Sequence, residues 1–167
     1  MPASPDSPSP SEPARGWALV WALVKLGRPH QWVKGAFVLI GPLYGGRLAT
    51  VGEIVAALGA VLAFNLASSA CYAINDLHDA EADRAHPRKR NRPIASGRVT
   101  ALTAVVFAAG LMVLSGAAIG VVMGLGEGGS RPALLLTVAV GVYAANVLLY
   151  SFVLKHHVIM DVMGLSV

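Results

Sequence analysis

Asp76, Asp79 and Asp83, with Asn75 beside the first of them, are followed closely by the basic run Arg88-Lys89-Arg90-Asn91-Arg92. On a helix advancing about 100° per residue the three aspartates fall within about 60° of one another, and Asn75 lies near the edge of that face. His78 and Glu81 point elsewhere. Like charges on one stripe repel, and the arrangement becomes favourable when a cation sits among them. Oxygen-only donors suit a hard ion, and Mg²⁺ keeps several waters while bridging one or two carboxylates to substrate phosphates. The basic run supplies the complement, because arginine grips phosphate oxygens in bidentate fashion. Acid followed by base therefore reads as a site for a magnesium-bound diphosphate, and the plainer reading of the basic run is a loop against lipid headgroups.

The elements that hold this cluster are membrane helices. Of 167 residues 55% are hydrophobic and 13% charged, about half the charged share of a soluble domain, and the mean hydropathy is +0.62. Apolar spans are expected near 51–75, 101–125 and 133–154, each long enough for a hydrocarbon core of about 30 Å. A further span near 33–48 is short and contains Pro42, so it crosses only if Lys34 and Arg47 snorkel. Residues 17–27, with Trp17 and Trp21 one turn apart, have the composition of a helix lying at the interface. Residues 1–15, rich in Ser and Pro, read as a disordered tail. Gly110, Gly116 and Gly120 are expected to permit close packing of the third span. The lone Cys71 reads as a small core residue.

With four spans, Arg15, Lys25, Arg28, Lys34, Arg84, Arg88, Lys89, Arg90, Arg92, Arg98 and Lys155 share one side, and Arg47 and Arg131 the other. The positive-inside rule makes the richer side cytoplasmic, with the N-terminus and the aspartates there. The net charge of +4 is thus accounted for by topology, and nucleic acid is not an expected partner. After His156 and His157, which read as headgroup contacts, residues 158–167 start a fifth apolar stretch that is too short to cross a bilayer. Within it Asp161 is a functional candidate, as intramembrane carboxylates usually are.

Asn75-Asp76-x-x-Asp79-x-x-x-Asp83, with Lys89-Arg90-x-Arg92-Pro93-Ile94-x-x-Gly97 behind it, resembles the first aspartate-rich motif of the UbiA superfamily of intramembrane prenyltransferases. Arg28-Pro29-His30-Gln31-Trp32-Val33-Lys34, the stretch Glu81 to Pro87 and Tyr150-Ser151-Phe152-Val153-Leu154-Lys155-His156 are similar to its branch of decaprenyl-phosphate phosphoribosyltransferases. The resemblance implies an all-α integral membrane fold, residues 16–167 being the N-terminal part of a bundle of nine helices in the plasma membrane. It implies Mg²⁺-dependent transfer of 5-phosphoribosyl from phosphoribosyl diphosphate to a polyprenyl phosphate, in the synthesis of a cell-wall arabinan precursor. Asp76, Asp79 and Asp83 would hold the metal and act in catalysis, Asn75 would join them at the diphosphate, and Arg90 and Arg92 would bind phosphate groups. Lys34, Tyr150 and Lys155 would contact phosphate or the lipid head; each is equally well read as an interfacial anchor.

The family's second aspartate motif lies beyond the position matching Val167, so the expectation is a truncated chain that is inactive alone. The rival readings are a prenyltransferase moving an isoprenoid from its diphosphate to an aromatic acceptor, a membrane cation-binding or transport module, and a non-catalytic remnant.

Overall fold

The computed structural model describes residues 13–125 and 130–149. Among them every regular element is helical. Helix α1, Trp17–Gly27, buries Ala22, Leu26 and Gly27 and leaves Trp17 and Trp21 exposed, the two-faced pattern of an interfacial helix. Of the expected tail over 1–15 only residues 13–15 are described, and there the Ala14 amide donates to the Arg98 carbonyl at 3.0 Å.

The stretch expected as a single membrane helix over 33–48 takes another form. It runs as a 3-10 helix from Pro29 to Leu39 and continues as a short α-helix, α2, Ile40–Tyr44. A 3-10 helix rises about 2.0 Å per residue against about 1.5 Å for an α-helix, so the two parts together follow a path of about 30 Å. The tighter winding supplies length that a regular α-helix of the same residues lacks.

Helix α3, Val51–His78, is followed by a short helix, α4 (Ala80–Ala85), and is the axis of the structure, packing against α1, the 3-10 segment and two further helices, α5 (Ala101–Leu125) and α6 (Ser130–Leu149). Its single early carboxylate is a cap. Glu53 Oε2 accepts from the Thr50 amide at 3.2 Å while the Thr50 hydroxyl accepts from the Glu53 amide at 3.2 Å, which satisfies donors that a helix start otherwise leaves open. Helix α5, Ala101–Leu125, is apolar all round. α3 and α5 are the two helices, among the described residues, long and apolar enough to cross a membrane. In its most apolar window α3 is 50% buried and α5 17%, so α5 keeps Leu102, Val106 and Val113 free to face lipid.

α3 and α5 approach through Ala63, Ala67, Ala70, Ala104 and Ala108, all buried, and Ser115 donates to the Ala63 carbonyl at 2.8 Å. The glycines expected to allow this do not: a Cβ on Gly110, Gly116 or Gly120 meets nothing within 4 Å. Gly59 of α3 takes that role, since a Cβ there would stand 3.0 Å from a Val122 methyl. Helix α6, Ser130–Leu149, begins ahead of the expected 133 and joins α3 through a bond of 2.9 Å between the Tyr143 and Ser68 hydroxyls. Tyr150, Lys155, Asp161 and the expected start of a fifth span lie outside the described residues.

The loop between Pro87 and α5 holds a single 3-10 turn, Lys89–Asn91. Ile94 and Val99 on it are buried in one cluster with Ala22 and Leu26 of α1, Ala70 and Ala73 of α3, and Ala104 and Ala108 of α5. This closes one end of the helices, and the aspartates stand there.

Candidate functional site

The helical register carries Ser69, Tyr72, Asp76, Asp79 and Asp83 along one stripe. α3 stops at His78 and a short helix, α4, runs from Ala80 to Ala85. Asp79 is the joint, still in the right-handed helical region at φ −82° and ψ −1°. Its amide donates to the Asn75 carbonyl at 2.9 Å and its carbonyl accepts from the Asp83 amide at 2.8 Å. The helical phase therefore survives the break: Asp76, Asp79 and Asp83 are all buried, whereas His78 and Glu81 are exposed.

Two arginines neutralise this stripe. Arg92 Nη1 lies 3.1 Å from Asp76 Oδ1 and 2.7 Å from Asp83 Oδ2. Arg28 Nη2, from the end of α1, lies 2.6 Å from the same Asp76 Oδ1. Lys89 Nζ is 4.0 Å from Asp83, and Asn75 Nδ2 donates to Asp79 Oδ2 at 3.5 Å. Buried charges persist where they are paired and hydrogen-bonded.

Arg28, which the sequence offers only as one of the basic residues on the richer side and as the start of the stretch ending at Lys34, is the site residue that sequence reasoning missed. Its backbone is left-handed, φ 50° and ψ 56°, the only non-glycine residue with positive φ among those described. The following proline adds its own restriction, and a non-glycine residue in this region costs about 1–3 kcal/mol. Ser69 ties down the backbone just before the strained residue and the Trp32 indole beyond it. Its hydroxyl donates to the Gly27 carbonyl at 2.7 Å and accepts from Trp32 Nε1 at 3.0 Å. From that anchor the side chain crosses the Tyr72 ring, Cζ standing 5.0 Å from the centroid, and ends on Asp76. The available signal was an arginine directly before proline, but nothing local shows that its partner lies 48 positions away.

The other candidates separate. Arg92 joins the aspartates, whereas Arg90 is exposed. Arg84 donates to the Ala95 carbonyl and Arg98 to the Asn91 carbonyl, so these two shape the loop. Lys34 is exposed and follows the packing of Gly35 on Asn65, eleven positions before Asp76 on α3, which is about 16 Å along the axis. The structure therefore does not bring Lys34 to the aspartates.

The donors fit a hard cation in kind, being carboxylate and amide oxygens. They also fit in placement, because one cationic nitrogen already sits between Asp76 and Asp83. Among the described residues no three His, Cys, Asp or Glu side chains converge on one ion position. Coordination by a pair leaves positions for water and for substrate oxygens.

The sequence profile of the UbiA prenyltransferase family matches residues 35–167. The decaprenyl-phosphate phosphoribosyltransferase of Mycobacterium tuberculosis is 40% identical over 152 residues, covering 89% of this chain and 47% of that protein. The protein of the same name from Mycolicibacterium smegmatis is 38% identical over 148 residues, 86% of this chain and 43% of that one. A third, from Corynebacterium glutamicum, is 38% identical over 142 residues. The chain thus spans about half the length of the curated relatives it matches.

Proposed function

The chain belongs to the UbiA prenyltransferase family, and from that premise we propose that the complete protein transfers 5-phosphoribosyl from phosphoribosyl diphosphate to a polyprenyl phosphate, a step toward a cell-wall arabinan precursor. The observation that carries this reading is Asp76 and Asp83 sharing Arg92 at the end of a membrane helix. The family supports a membrane transferase, and the names of the relatives support the donor and acceptor. The excess of Lys and Arg around the aspartates favours a site on the cytoplasmic side of the membrane.

Asp76 and Asp83 would hold Mg²⁺ directly, and Asp79 and Asn75 would join them at the metal's waters or at the donor's diphosphate. Bound there, the metal would supply Lewis-acid stabilisation of the leaving group. Breaking the bond from the anomeric carbon develops positive charge on the ribose and negative charge on the diphosphate, so the Arg92 guanidinium beside that group stabilises the transition state. The attacking lipid phosphate is already an anion at neutral pH, and no strong general base is required. Arg90, Lys34, Tyr150 and Lys155 are secondary candidates for phosphate or lipid-head contact.

Incubating the complete protein with labelled phosphoribosyl diphosphate, Mg²⁺ and a polyprenyl phosphate should label the lipid, and Asp79→Asn should abolish it. Labelling retained in that variant removes the aspartates from the mechanism. Turnover of a prenyl diphosphate in place of the sugar donor would reassign the substrate.

A further inference from the structure

Arg28 belongs to no motif of the aspartate cluster, yet the structure devotes several features to it. Its backbone holds a left-handed conformation next to a proline. Ser69, itself buried, ties down the carbonyl before it and the indole four residues after it. Its side chain lies on the Tyr72 ring and ends 2.6 Å from Asp76, on the same oxygen that Arg92 reaches. Asp76 Oδ1 thus takes two guanidinium donors, and they differ. Arg92 is shared with Asp83, whereas Arg28 reaches Asp76 from the end of α1 and is the one that leaves the shared Arg92 pair intact if it moves away.

Resting on the reading of the site as a magnesium-diphosphate site, we propose that Arg28 is a diphosphate-binding residue that occupies Asp76 until the cation arrives. A cation on Asp76 Oδ1 and a guanidinium at 2.6 Å from that atom repel each other, so the two compete. Arg28 gives way without moving its backbone, which Ser69 holds, and its freed donors turn to phosphate oxygens next to the cation. Strain at residue 28 is stored where the arm must start from one fixed point. The resting site keeps its carboxylates neutralised, and the loaded site gains one further charge-assisted contact to the leaving group.

The test uses the complete protein in lipid nanodiscs, Mn²⁺ as a spectroscopic stand-in for Mg²⁺, and inorganic diphosphate as probe. Arg28→Gln should bind Mn²⁺ alone at least threefold more tightly in electron paramagnetic resonance titrations, because the competitor is gone. The same variant should bind diphosphate with Mg²⁺ about tenfold or more weakly by calorimetry, the loss expected for a hydrogen bond to a charged group. Arg28→Lys should recover part of the diphosphate affinity, and it serves as the readout if the glutamine variant does not fold. Ser69→Ala should weaken diphosphate binding with Arg28 still present. Diphosphate affinity within twofold of the parent in both Arg28 variants would overturn the proposal. If the parent itself binds no diphosphate with Mg²⁺, the underlying reading of the site falls instead.

Discussion

Gly35 of the 3-10 segment lies directly against Asn65 of α3: a Cβ at residue 35 would overlap Asn65 Oδ1 and stand 2.7 Å from its Cγ. Asn65 is buried, so it has little room to retreat. Gly35→Ala should therefore destabilise the protein by about 1–3 kcal/mol, the range for overpacking a filled site. The cost should shrink sharply in an Asn65→Ala background. A thermal-unfolding cycle over the four proteins in detergent measures this coupling, and additive effects would show that Asn65 rotates away at no cost.

Arg92 is the hinge of the acidic stripe, since one nitrogen serves both Asp76 and Asp83. Arg92→Met should destabilise by about 1–3 kcal/mol, less than the full penalty for breaking a buried pair because the arginine is partly solvated. Asp83→Asn should cost less, as Asp76 still holds the arginine. In a double-mutant cycle the pair should couple by about 0.5–3 kcal/mol. A coupling near zero, read from denaturation midpoints, would make the contact incidental.

Where the structure follows the sequence, the reason is local. The bounds of α1, α3 and α5 come from runs of apolar residues with plain stops, and the burial of Asp76, Asp79 and Asp83 against the exposure of His78 and Glu81 comes from helical phase alone. Where it departs, the cause lies far along the chain. The 3-10 winding over Pro29–Leu39 accompanies the contact of Gly35 with Asn65, and Arg28 acquires its meaning from Asp76 and Ser69. Gly59 and not Gly110 faces a neighbouring helix because composition names the residue type that permits close approach, while the rotation of each helix decides which copy meets a partner.

Glu53 tests whether a carboxylate opening an apolar span is a cap or a functional charge. It closes the start of α3 with Thr50 and lies 3.8 Å from Arg47, whose side chain is 70% exposed. Glu53→Ala should cost about 0.5–2 kcal/mol, as lost caps do, with transferase activity per folded molecule unchanged. Arg47→Ala should stay within about 0.5 kcal/mol, since exposed pairs contribute little. A loss of turnover in Glu53→Ala at full folding would place a functional charge at the N-terminal end of α3.

The acidic stripe itself predicts how stability responds to ligand. A molecule that binds only the folded state stabilises it by about 2.7 kcal/mol at one hundred times its dissociation constant. Inorganic diphosphate with Mg²⁺ should therefore raise the unfolding temperature of the complete protein, and chelating the metal should remove the rise. Mg²⁺ alone should give a smaller shift, because Asp76 and Asp83 already hold Arg92 and an entering cation must displace it. Asp76→Asn should lose most of the diphosphate response, since Asp76 carries one of the two oxygens that flank the shared position. An equal shift from Mg²⁺ with and without diphosphate would instead favour a site built for the cation alone.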